Sequence, residues 1–177
     1  MADEQAKQKG ISKVWALPVA ALAAIALALK TALKPADKRA AVVAAAVREL
    51  GKGDQTPYVT DALGYPTTAI YSWCGMFALW ALHQAGLAKA WHWELGTGFL
   101  YRLPRVPPNT LPQPGDIAYF HEPFRHHAIV ESVDPIAMTV TIINGNGTDG
   151  KVTRSTVPVS QPTAFYSIDP LVQRKAA

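Results

Sequence analysis

Tyr71-Ser72-Trp73-Cys74-Gly75-Met76-Phe77 holds the only cysteine of the chain, and its reading decides how the rest is placed. Before it lies a loop with Gly64, Pro66 and two threonines. After it the apolar run Phe77 to Leu87 predicts a helix that ends at Gly86. A thiol at a helix N-terminus meets the positive end of the helix dipole and unpaired backbone N–H groups. Both favour the thiolate, the nucleophilic form of cysteine. Elsewhere a lone cysteine is a small buried hydrophobe. The position makes Cys74 a candidate nucleophile, and a nucleophile of this kind needs a base and a group that orients the base.

Working outward, Asp37 is placed to cap a helix over Lys38 to Leu50, which Gly51-Lys52-Gly53 closes. Asp54 to Ile70 reads as a loop. Ala88 to Pro114 reads as irregular, first aromatic and then proline-rich, and suits one wall of a cleft. Beyond Pro114 the pattern turns to strands: Ile117 to Phe120, Ala128 to Val133, Met138 to Ile143, Lys151 to Val157 and Ala164 to Ile168. Helices first and a meander of strands afterwards predict an α+β domain, with an antiparallel sheet packed on the Cys74 helix.

The base is sought in the strands. Along His126-His127-Ala128-Ile129-Val130-Glu131, alternation puts His126, Ala128 and Val130 on one face and His127, Ile129 and Glu131 on the other. Small and apolar neighbours assign the His126 face to the helix. His126 is the first choice for the base and His127 the second. Asn144 ends the next strand, beside the start of the histidine strand if the two form a hairpin, and its side-chain oxygen can fix an imidazole tautomer. Asn146 can donate to a substrate carbonyl or oxyanion. Asn144-Gly145-Asn146-Gly147 also reads as an ordinary turn. His121, His126 and His127 have the spacing of no well-defined metal site, so no metal is expected.

Trp73-Cys74-Gly75-Met76-Phe77 through Leu87, Pro114-Gly115-Asp116-Ile117-Ala118-Tyr119-Phe120, His126-His127-Ala128-Ile129-Val130 and Ile143-Asn144-Gly145-Asn146 occur in that order. Together they resemble the motifs of CHAP domains, the cysteine-, histidine-dependent amidohydrolases/peptidases related to NlpC-type enzymes. The resemblance spans Lys38 to Asp169. It implies a papain-like fold and places the catalytic histidine on His126. It also implies cleavage of an amide in peptidoglycan, by an N-acetylmuramoyl-L-alanine amidase or a crosslink endopeptidase. Cys74 would attack, His126 would shuttle the proton, Asn144 would orient His126, and no cofactor would be needed. Asn146, Trp73 and Tyr71 are the expected substrate-binding residues. Two positions depart from the family pattern: Asn144 stands where many members carry a carboxylate, and Arg125 where a small residue is common.

Length and composition leave room for one domain and an appendage in 177 residues. One cysteine excludes an intramolecular disulfide. The formal charge of +4 suits an anionic polymer, but no basic cluster is interleaved with aromatics, so nucleic acid is not an expected partner. Val14 to Leu29 is an alanine-rich apolar run between Lys13 and Lys30, about 24 Å long as a helix and short for a bilayer core of about 30 Å. It reads as a signal, an anchor or a releasable membrane helix. The expected organisation is thus an N-terminal hydrophobic segment (1–34), a catalytic domain (35–169) and a short tail (170–177). The expected localisation is at the membrane or exported to the periplasm or wall, in a bacterial or phage lysis enzyme. Two other readings fit the same residues: a non-catalytic wall-binding or virion structural protein, and an amidase or acyltransferase with another substrate.

Overall fold

Ile117-Ala118-Tyr119-Phe120 is apolar at every position, so both faces of that strand must be covered. In the computed structural model, which describes residues 34–69, 71–94 and 98–173, this strand (β1, Ile117–Phe120) lies inside a five-stranded antiparallel sheet. The other strands are β2 (His126–Asp134), β3 (Thr139–Asn144), β4 (Thr153–Pro158) and β5 (Ala164–Tyr166), in the order β4-β3-β2-β1-β5. Asp134 caps the β2–β3 turn by accepting from the backbone N–H groups of Ile136 and Ala137, each at 2.9 Å.

Three helices supply one cover: α1 (Pro35–Val47), α2 (Thr56–Leu63) and α3 (Cys74–Gln84). Their buried residues join Ile117, Tyr119, Ile129 and Ile143 in the main core. Ala118, Ala128, Val130, Val140, Ile142 and Phe165 face the other way, into a smaller cluster completed by Val106 and Phe120. The sheet therefore separates two apolar layers.

The helix boundaries differ from the sequence reading in instructive ways. The first helix starts at Pro35, with Lys34 at the N-cap. Proline at the first helical position has a preset φ and no N–H to leave unpaired. Asp37 acts from inside the first turn, accepting from the Lys34 N–H at 3.1 Å. The 54–70 segment is not all loop, because Thr56–Leu63 is helical and buries Tyr58, Val59 and Ala62. Cys74, rather than Phe77, is the first residue of its helix. Within the irregular 88–114 stretch, Gly98–Arg102 forms a 3-10 turn that buries Phe99 and Leu100.

A buried charge cluster ties the ends of this unit to the sheet. Arg39 of α1 donates to Asp116 and to Asp169, each at 2.8 Å, and to the Pro114 carbonyl at 2.8 Å. Asp116 also accepts from the backbone of Gln113 (2.8 Å) and Ile168 (3.1 Å). Asp169 opens a short helix, α4 (Asp169–Val172), whose Leu171 and Val172 are buried in the main core. The fold thus continues past Asp169. The N-terminal hydrophobic segment lies outside the described residues. Among the described residues no helix is long and apolar enough to cross a membrane.

Candidate active site

The N-terminus of α3 abuts the start of β2. Cys74 occupies the first helical position with no side-chain cap hydrogen bond at the N-cap, in the turn whose backbone N–H groups have no partner within the helix. It is 4% exposed. Two contacts reach it: the carbonyl of Arg125, just before β2, at 4.0 Å and His127 Nδ1 of β2 at 3.7 Å from Sγ. Burial works to raise the thiol's pKa. Hydrogen bonds from His126 and His127 are the larger opposing causes; they outweigh burial and hold it at about 5.

His126 is the first residue of β2, and its Nε2 lies 2.9 Å from Asn144 Oδ1. Asn144 reaches it because β2 and β3 pair with Ala128 opposite Asn144. The orientation of the Asn144 amide follows from its other contacts. Nδ2 donates to Ser155 Oγ at 3.0 Å and faces the Thr153 carbonyl at 3.5 Å, which can only accept. Oδ1 is left for His126, so Nε2 carries a proton and Nδ1 is the nitrogen available to the thiol. Burial lowers the His126 pKa, but the thiol first and then Asn144 raise it, and the net shift is upward. A low thiol and a raised imidazole favour a thiolate–imidazolium pair.

The structure changes the face on which His126 was placed. Alternation itself holds, but the side of β2 that packs on the helices is the one carrying His127 and Ile129. Ala128 and Val130, the alternation partners of His126, belong to the smaller outer cluster. Small apolar neighbours were a poor guide because both faces of this strand are buried. His126 meets the thiol from the strand's beginning, while His127 approaches from the core side.

His126 and Asn144 open onto a cleft of about 510 Å³, also lined by Ser72, Phe124, Arg125 and Asn146. Asn146, with φ of +52°, lies at its rim in the β3–β4 turn. Tyr71 is half-buried against the core. Trp73 is not available to substrate: it is 3% exposed and stacks on Tyr58 with ring centroids 5.0 Å apart. Its large apolar ring belongs to the main core, where it also meets Phe77 with ring centroids 6.2 Å apart.

Several supporting residues escaped the sequence reading. Ser155 fixes the Asn144 amide. Trp93 closes over Gly75, where any Cβ would collide with its indole. Gly145 is equally constrained, since a Cβ there would run into Phe77. The signal for these two glycines lay in the motifs themselves, Cys74-Gly75 and Asn144-Gly145, where a bare backbone permits close approach.

A helix N-terminus presenting a low-pKa thiol to a sheet-borne histidine and its amide partner is the arrangement that a cysteine nucleophile requires. Residues 64–146 match the family model of the CHAP domain, a stretch that holds Cys74, His126 and Asn144. No curated protein and no solved structure matches the chain significantly.

Proposed function

We propose that the chain cleaves an amide bond of peptidoglycan, as an N-acetylmuramoyl-L-alanine amidase or a crosslink endopeptidase, through Cys74, His126 and Asn144. The observation that carries the reading is the 2.9 Å contact of Asn144 Oδ1 with His126 Nε2, beside a thiol held at about 5. The Cys74 thiolate attacks the carbonyl, and the Cys74 backbone N–H at the helix start supports the oxyanion. His126, as imidazolium, gives its proton to the leaving amine and the acyl-enzyme forms. His126 then takes a proton from water, which attacks the thioester and releases the thiolate. Asn144 keeps the ring aimed throughout.

His126 suits the shuttle better than His127 because it borders the cleft, where the leaving amine departs. His127 is 2% exposed and its Nε2 has no partner, so it has no route for exchanging a proton with substrate or water. Exposed Arg125 and Phe124 would meet substrate outside the reacting centre. Delivery to the wall by way of the membrane, through Val14 to Leu29, belongs to the same proposal and rests on the sequence of that segment alone.

Mass spectrometry of muropeptides after digestion with the full chain tests the reaction and identifies the bond. New termini at an amide, absent with Cys74→Ala, are expected. Equal hydrolysis by Cys74→Ala would remove the mechanism. Fractionation of the full-length chain tests the membrane step, and a purely soluble, unprocessed product would end it.

A further inference from the structure

The proposed reaction uses one histidine, yet two flank the thiol. His127 is enclosed by Trp93, Phe99 and Tyr119, with ring centroids 5.8, 5.9 and 5.3 Å away. Its Nδ1 lies 3.7 Å from Cys74 Sγ, and its Nε2 is buried without a hydrogen-bond partner. Two tautomers are open to it. With the proton on Nε2, a buried N–H would be stranded among aromatic rings. With the proton on Nδ1, the N–H points at sulfur and only a lone pair is left unpaired. Stranded N–H groups are the rarer outcome in folded proteins.

We infer that His127 is a positioning residue that donates a hydrogen bond from Nδ1–H to the Cys74 thiolate and does not shuttle protons. This deepens the function proposed above and rests on it for its catalytic meaning. The thiolate would then have a donor that stays in place while His126 gives up its proton. Such a donor holds the sulfur still for attack and stabilises it again as the leaving group when the thioester is hydrolysed. Gly75 makes the arrangement feasible, since a Cβ there would lie 3.1 Å from His127 Nδ1 and collide with Trp93. The titratable and charged groups around the pair are Arg125 just before β2, His126 at its start, and Tyr119 of β1. The Tyr119 hydroxyl lies 3.4 Å from His121 Nδ1, and His121 Nε2 lies 3.5 Å from Glu122.

The test is the pH dependence of Cys74 alkylation by iodoacetamide in the full chain, which reads thiolate without requiring turnover. His127→Val removes the donor and should raise the alkylation midpoint by about one pH unit, as expected for losing a charge-assisted hydrogen bond. His127→Asn places an amide N–H where Nδ1 stood and should restore most of the shift. A midpoint unchanged in folded His127→Val would overturn the inference, as would failure of His127→Asn to differ from His127→Val. Should His127→Val not fold, imidazole ¹⁵N shifts of the unaltered protein decide: protonated Nδ1 with bare Nε2 supports the assignment, and the reverse tautomer defeats it. Absence of muropeptide products would overturn the proposed function while leaving the alkylation midpoints to judge His127 separately.

Discussion

Replacing Asn144 with aspartate converts a neutral partner of His126 into a charged one at the same 2.9 Å contact. Two unit charges about 4 Å apart attract by about 4 kcal/mol at an effective dielectric of about 20. At about 1.4 kcal/mol per unit, that caps the rise in the His126 pKa near three units. Two terms reduce it. The native amide already contributes a hydrogen bond worth about 1 kcal/mol. The second carboxylate oxygen would also face the Thr153 carbonyl, 3.5 Å from the present Nδ2, where two acceptors repel. Ser155 Oγ, at 3.0 Å, can turn its hydroxyl to donate and offsets part of that cost. The net expectation is a further rise of about one to two units. Imidazolium is the acid that serves the leaving amine, so the alkaline limb of kcat/KM should move up in pH by the same amount. The assay is kcat/KM against pH on a defined peptidoglycan fragment, with thermal melting as a check on folding. An alkaline limb that stays in place in a folded Asn144→Asp protein would refute the assignment of Asn144 Oδ1 to His126 and the proton-donor role built on it.

The unaltered protein should show a bell-shaped kcat/KM profile. The acid limb lies near about 5, because protonation of the thiol below that pH removes the nucleophile; the alkaline limb lies above the ordinary histidine value, because the raised His126 loses its proton only there. An acid limb near pH 8 would show that the thiol is not stabilised in the folded site. Gly75→Ala should lower kcat/KM by about a hundredfold, since its Cβ displaces Trp93 and crowds His127 Nδ1 by an amount comparable to the misplacements that cost that much. Steady-state kinetics near those of the unaltered protein would mean that Trp93 yields without cost. Asp116→Ala leaves the buried Arg39 guanidinium with Asp169 as its remaining carboxylate and strands two backbone N–H groups, and should cost about 3 kcal/mol and lower Tm by about 10 °C. Calorimetry checks it, and a fall of under about 2 °C would mean that the cluster is rebuilt around Asp169.

The sheet was legible because strand residues here are β-branched or aromatic and end at turn formers such as Asp134-Pro135. Cys74, the two histidines and Asn144 were legible because their chemistry stands out in short motifs. The second helix was not, since Thr56 to Leu63 is too short for a clear helical period and was read by its flanking glycines and prolines. The role expected of Trp73 was misread because an aromatic next to a nucleophile suits substrate and core equally well by type, and only packing on Tyr58 separates the two. The face of His126 was misjudged for a related reason. A strand apolar on both sides carries no polarity signal to say which side meets the helices.

The two layers divided by the sheet have a consequence for how this chemistry can vary. Cys74 takes its position from the helical layer, through Trp73 and Phe77. His126 packs at a tilt against Phe120, with ring centroids 5.9 Å apart, and its partner Asn144 follows Ile142 on the same outward face. Nucleophile and base are therefore inherited from separate neighbourhoods that meet at one seam. Substitutions among Ile142, Phe165 and Val157 would act first on the aim and basicity of the imidazole, and only through it on the thiol. Those among Tyr58, Phe77 and Leu79 would do the converse. Such a partition gives a lineage two dials, one set from each layer, that stay coupled through the contact between thiol and imidazole on a single bond-breaking centre.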